Sequence, residues 1–271
     1  MTGVTLPPVV FSHGNSFPAS TYRVMLDSLR SRGFEVHAIE KFGHDPKYPV
    51  TNNWPHLVEQ LADFTRGLVK QAGQPAFLVG HSLGGFLSLM CAARHPVLAR
   101  GVVMIDSPLV GGWRANTLGL VKRTPLLKSV SPGAVSRKRR TAWDDREAAF
   151  DHFRAKRAFA RWDEQVLRDY VEHGMRASPG ALTLSFDRDV ETAIYDTLPH
   201  NVAALLRANP LQCRAAFIGG RQSVEMRRVG LAMTERVTRG RMSMLDGTHL
   251  FPMEKPIATA AAVEAALRNL L

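Results

Sequence analysis

Residues 76–85 read Ala76-Phe77-Leu78-Val79-Gly80-His81-Ser82-Leu83-Gly84-Gly85. Four apolar residues, enough for a short buried strand, run into Gly-x-Ser-x-Gly. A largely apolar stretch from Leu83 to Ala93 follows with helical character and is stopped by His95-Pro96. Strand, sharp turn and helix in that order is the context that gives the pentapeptide meaning. The turn holds Ser82 in a strained conformation at the tip of a sheet, and the glycines beside it are small because backbones crowd the bend. Leu83 opens the helix, so its N–H has no intrahelical acceptor and can point at a developing oxyanion. An ordinary serine in a Gly-rich loop would carry the same letters. What separates the two readings is whether a base and its orienting acid come to Ser82.

Five further apolar runs read as strands: Val9–Ser12, Phe34–Ile39, Val102–Asp106, Ala215–Gly219 and Met242–Leu245. Helical stripes separate most of them. Tyr22, Met25, Leu26 and Leu29 fall on one face, with Gly33 as a stop. Leu57, Leu61, Phe64 and Leu68 repeat the pattern, with Gly73 past the end. Ile257 to Leu271 is Ala-rich with one apolar side. Alternating strands and helices predict an α/β fold: a mainly parallel sheet of about six strands, covered by helices on both faces. The alternation breaks after Asp106. About a hundred residues, holding Trp113, Trp143, Trp162 and Tyr170, intervene before the next strand. Residues 147–173 are amphipathic, and a helix packed over the main domain fits their mixed charges better than a membrane-surface helix. The expected division is a core of 1–107 and 209–271 with an inserted helical cap of 108–208.

A chain of 271 residues suits one large α/β domain with an insertion. No run of 18 apolar residues exists, so no transmembrane segment is expected. Met1 to Pro8 lacks the basic and long apolar regions of a signal peptide. Cys91 and Cys213 are the two cysteines, expected as buried free thiols, and the location expected is cytoplasmic. The net charge of +11 invites nucleic acid, anionic membranes or acidic substrates as partners. The one dense run, Arg137-Lys138-Arg139-Arg140, has no aromatic-interleaved motif and reads as solvated surface, so no nucleic-acid partner is expected.

A serine hydroxyl needs a base, usually a histidine fixed by a carboxylate. His249 lies in Leu245-Asp-Gly-Thr-His-Leu-Phe-Pro, after the last strand. In a parallel sheet the loops after strands emerge at one edge, the edge of Ser82. His13, His44 and His81 also follow strands and are rivals. His81 adjoins Ser82, so its side chain should point elsewhere on the turn. Asp106 is the first polar residue after a buried strand at the same edge and is the expected acid, although an Asx-type turn before Ser107-Pro108 is a competing use. The second oxyanion donor should come from the loop after the first strand: Gly14 lets the chain turn and present the Asn15 N–H, with Ser16 as fallback. No His-Glu-x-x-His, paired Cys-x-x-Cys, dinucleotide fingerprint or P-loop is present, so neither metal nor cofactor is expected.

The chain resembles the α/β-hydrolase family over nearly its whole length. His13-Gly14-Asn15, Gly80-His-Ser-Leu-Gly-Gly85 and Gly247-Thr-His-Leu-Phe-Pro252 arrive in the family's order, as do Ser82, Asp106 and His249. The insertion after Asp106 falls where family members carry a helical cap, and Phe159 to Gly174 looks like a cap helix. Two departures stand out. The usual opening hairpin is missing, and the usual acid after the next-to-last strand is replaced by Gly220-Arg-Gln-Ser223. Glu225 lies two residues on and is the alternative acid. Some branches place the acid where Asp106 stands.

The resemblance implies a serine hydrolase acting on a small-molecule acyl substrate. A carboxylic ester is expected, and the cap's aromatic content allows a lipid-like one. A non-catalytic ligand-binding relative, an acyltransferase and a C–C bond hydrolase are the alternatives. Epoxide hydrolase and haloalkane dehalogenase chemistry are disfavoured, because those relatives carry an aspartate at the position of Ser82.

Overall fold

The structure, a computed structural model, describes residues 6–110 and 132–271. The expectations placed on residues 1–5 and on Trp113 lie outside them. Six strands form one sheet: β1 (Val9–Ser12), β2 (Val36–Ala38), β3 (Ala76–His81), β4 (Ala99–Ile105), β8 (Arg214–Gly220) and β9 (Met242–Leu245). The order is β2-β1-β3-β4-β8-β9, and every neighbouring pair is parallel. Side chains alternate across the pleat. Val9, Phe11, Phe77, Val79, Val103 and Ile105 face α1 (Arg23–Ser31) and the C-terminal helix Pro256–Leu270. Val10, Leu78, Val102 and Met104 face α2 (Pro55–Ala72) and α3 (Leu83–Arg94). Each such buried aliphatic or aromatic side chain contributes about 1.5–3 kcal/mol, so the two layers clamp the sheet between them.

Local chemistry sets the ends. Pro55 starts α2 where its missing N–H is not needed, and Gly73 ends it at φ 68° while donating to Val69 O at 2.9 Å. The register then places functional loops side by side. Ser12 lies opposite Gly80, His81 opposite Ile105, and Ile105 opposite Ile218. The residues that follow β1, β3 and β4 therefore leave the sheet at one edge.

Gly84 shows how tightly that edge is built. A Cβ there would lie 1.9 Å from Ser12 O and 2.4 Å from Ser12 C, both backbone atoms. Gly84→Ala is therefore expected to cost about 3 kcal/mol through overpacking that no rotamer relieves. Thermal unfolding measures it; a midpoint equal to the wild type's would contradict the crowding.

The segment between β4 and β8 contains more than helices. Its described part holds α4 (Pro132–Arg137), β5 (Ala142–Trp143), α5 (Arg146–Arg154), α6 (Glu164–His173), β6 (Met175–Ser178), β7 (Ala181–Leu184), α7 (Arg188–Asp196) and α8 (Val202–Ala208). The three strands form a small antiparallel sheet in the order β5-β7-β6. The amphipathic stretch 147–173 is broken into α5 and α6, because Asp163 caps α6 by accepting from Gln165 N at 2.9 Å and Val166 N at 3.2 Å. Arg137-Lys138-Arg139-Arg140 is corrected at one position: the Arg139 side chain is only 13% exposed and meets Glu191 at 2.9 Å. Both cysteines are free; Cys91 is buried and Cys213 is half-buried, not buried as expected. Among the described residues no helix is long and apolar enough to cross a membrane.

Candidate active site

Ser82 sits between β3 and α3 with φ 53° and ψ −115°, a conformation that L-residues rarely adopt and that strains the turn. Its N–H donates to Ile105 O at 2.9 Å, and the Ser107 hydroxyl donates to its carbonyl at 2.9 Å, so the bend is tied to β4 on both sides. Asp106 leaves β4 with φ 45°. That twist turns its fully buried carboxylate toward the end of β8 instead of continuing the ladder.

Three donors converge on Asp106. Gly220 N–H reaches Oδ1 at 2.8 Å, the Ser223 hydroxyl reaches Oδ2 at 2.6 Å, and His249 Nδ1 reaches Oδ2 at 2.6 Å. Burial pushes the Asp106 pKa up. The His249 bond and charge, with Gly220 and Ser223, outweigh it and leave the carboxyl below its usual value. With Nδ1–H committed to Asp106, the lone pair of His249 Nε2 faces Ser82 Oγ at 3.1 Å. The loop carrying His249 is braced by Glu254, which accepts from Thr248 N–H at 3.2 Å and from the Thr248 hydroxyl.

Burial alone would lower the His249 pKa, but the Asp106 bond and charge, aided by Glu225, carry it above 6.5. The base form is the neutral one. The kcat/KM of any proton abstraction by His249 should therefore rise with pH through a midpoint above 6.5. Glu225→Gln removes a negative charge that favours the imidazolium, so that limb should move to lower pH. A pH–rate profile of the two proteins checks the sign, and a limb displaced upward would contradict it.

The rival histidines have other work. His13 is fully buried, its pKa brought down to about 4 by desolvation. It donates from Nδ1 to Gly14 O at 2.8 Å and accepts from Phe42 N–H at 2.9 Å. His44 bonds Phe42 O and Asp187 N–H. His81 bonds Tyr22 and the His249 main chain rather than Ser82, and burial lowers its pKa to about 3. Its Nε2 lies 2.9 Å from His249 O, an atom that can only accept, so Nε2 carries the proton. Neutral His81 must then accept at Nδ1, where the Tyr22 hydroxyl donates at 2.7 Å; Tyr22 in turn accepts Gly14 N–H at 2.9 Å. A Cβ on Gly14 would meet both His81 Nδ1 and Tyr22 Oη at 2.9 Å, so any larger residue would crowd that pair.

Two oxyanion donors were expected. Leu83 is the first residue of α3. Gly14 O accepts from His13 and, at 3.3 Å, from Phe17 N–H, so the trans peptide turns the Asn15 N–H to the opposite side. The fallback, Ser16, is corrected, because its N–H already donates to Asn15 Oδ1 at 3.1 Å. Glu225 as the triad acid is also corrected: Asp106, not Glu225, holds His249 Nδ1.

Ser82 and His249 open into a cleft of about 390 Å³, whose walls include Asn15, Phe17, Arg157, Arg161, Glu225 and Leu250. Asp106, Glu225 and His249 have candidate ligand atoms within 4.8 Å of one another. An ion there would have to compete for Asp106 oxygens that already accept three hydrogen bonds.

Sequence reasoning missed Ser223, Tyr22 and Glu191. Ser223 cannot replace a carboxylate, and the sequence shows no more than that; its role is to donate to one.

The sequence profile of the Alpha/beta hydrolase family matches residues 9–262. A putative non-heme haloperoxidase of Mycobacterium phage D29 is 35% identical over 104 residues, 37% of this chain and 36% of its own length. A monoglyceride lipase homolog of Monkeypox virus is 25% identical over 134 residues, 46% of each chain. The chain thus spans less than half the length of these curated relatives. Among solved structures, E-2-(acetamidomethylene)succinate hydrolase superposes with a TM-score of 0.73, at 21% identity, covering 97% of this chain and 91% of its own.

Proposed function

The chain belongs to the alpha/beta hydrolase family, and from that premise we propose that it is a serine hydrolase cleaving a carboxylic ester through an acyl-enzyme intermediate. One observation carries the reading: Ser82 Oγ, His249 and Asp106 stand in line at 3.1 Å and 2.6 Å, with the imidazole tautomer fixed for accepting a proton. Ser82 Oγ attacks the acyl carbon while its proton passes to His249 Nε2. Asp106 stabilises the imidazolium, and the N–H groups of Leu83 and Asn15 receive the oxyanion; one such donor is typically worth roughly 2.7–4 kcal/mol. His249 then protonates the departing alcohol. Water, deprotonated by the same nitrogen, releases the acid.

The acyl group favoured is short to medium rather than lipid-like. The aromatic side chains that suggested a lipid pack on one another: Phe159 on Trp162 at 4.6 Å, Phe153 on Phe159 at 4.9 Å, Phe153 on Tyr170 at 5.2 Å. Phe17, whose ring meets Trp162 at 5.3 Å, is the one ring of this cluster that lines the cleft among the described residues. The missing acid after β8 is the ground for a non-catalytic relative, and the Asp106–His249 bond speaks against that reading.

A fluorophosphonate probe tests the reading. Covalent labelling mapped by peptide mass to Ser82, with turnover of p-nitrophenyl esters falling from butyrate to laurate, is the expected result. A folded protein that neither labels nor turns over any ester of the series would sink it. Product partition with a competing alcohol separates hydrolase from acyltransferase.

A further inference from the structure

We propose that Glu191, on a helix of the inserted segment, is a positioning residue that sets the direction of the Asn15 N–H and so couples that segment to oxyanion stabilisation. The inference rests on the serine-hydrolase reading above. Glu191 lies in the first turn of α7 and is 5% exposed. All three of its oxygens are engaged. The main-chain oxygen accepts from Asn15 Nδ2 at 3.0 Å, Oε1 from the Ser16 hydroxyl at 2.6 Å, and Oε2 from Arg139 at 2.9 Å. Asn15 Oδ1 closes the set by accepting Ser16 N–H at 3.1 Å. The two loop residues following Gly14 are therefore held by one glutamate across more than half the chain's length.

The loop needs such a hold. Ser16 has φ 78°, in the left-handed region that costs a non-glycine residue free energy and persists only when the surroundings impose it. The strain is offset by a buried charge pair that is itself built in. Arg139 donates to Glu191 and also to the Tyr170 hydroxyl. Tyr170 belongs to the aromatic cluster that Phe17, the residue after Ser16, joins at 5.8 Å. Side-chain bonds on one side and a ring contact on the other fix the loop between them. Removing one partner of a buried pair leaves the other uncompensated, so Glu191 is also coupled to the fold of its own segment. The test must separate these two effects.

The experiment compares wild type, Glu191→Gln, Ser16→Ala and the double variant on one p-nitrophenyl ester, together with a trifluoromethyl ketone and the fluorophosphonate. The ketone forms a tetrahedral adduct that needs the oxyanion donors. The expected result is a kcat fall of about 10- to 100-fold in Glu191→Gln with KM changed less than about threefold, and ketone affinity falling in step with kcat/KM. Ser16→Ala should show a smaller fall of the same kind. The double variant should lose less than the product of the two single losses, because Glu191→Gln takes the charge from the bond that Ser16→Ala removes. Failure of the wild type to label at Ser82 overturns this proposal together with the reading beneath it. A labelled wild type with unchanged kcat in both single variants overturns this proposal alone. So does a loss confined to the thermal midpoint, or one in which KM rises as much as kcat falls.

Discussion

Asp106→Asn is expected to lower kcat by about 10⁴-fold while the protein stays folded. The backbone decides why. Gly220 N–H can only donate, so the amide oxygen of an asparagine must take the Oδ1 position. The amide nitrogen then takes the Oδ2 position and faces His249 Nδ1. The Ser223 hydroxyl, which already accepts Met226 N–H at 3.1 Å, can turn to accept the amide as well and loses only the bond its own proton made. His249, however, must now accept at Nδ1, which puts its proton on Nε2, toward Ser82. The imidazole becomes a donor where a base is needed. Glu225 is no substitute: it is exposed, and the His249 Nδ1 partner is Asp106. Steady-state kinetics of Asp106→Asn beside Glu225→Gln distinguish the two carboxylates. A near-normal kcat in the first and a crippled one in the second would reverse the assignment.

Ser82→Ala is expected to abolish fluorophosphonate labelling and to lower kcat/KM for esters by about 10⁶-fold. The backbone at this position has φ 53° and ψ −115°, which alanine tolerates no better than serine, so stability should barely change. That pairing of outcomes is diagnostic, since a general loss of structure would move the thermal midpoint as well. A variant retaining several per cent of activity would mean that the acyl group never passes through this oxygen.

Much of the framework was legible in the sequence because parallel strands buried on both faces appear as continuous apolar runs. Val9–Ser12 and Met242–Leu245 match the observed strands residue for residue. The site's axis was legible for a topological reason: in a parallel sheet, Ser82, Asp106 and His249 each follow a strand and so share an edge. Illegible parts depended on contacts distant in sequence. Nothing in Arg137-Lys138-Arg139-Arg140 says which arginine turns inward; the position of Glu191 decides it. Ala142–Trp143 is too short for any periodicity to register, so that strand between β4 and β8 passed unseen. Asp163 reads as one more charge in an amphipathic stretch until its carboxylate is found on the amides that begin a new helix.

The line from Gly14 through Tyr22 and His81 to the carbonyl of His249 has every proton assigned. Each member demands a specific hand from the next. A substitute for His81 would have to offer a lone pair at one end and a hydrogen at the other, at the same separation. A side chain grafted onto residue 14 would press on both and force them to shift. These positions form a lock whose tumblers can be recut only together, and libraries that vary them one at a time will return mostly dead clones.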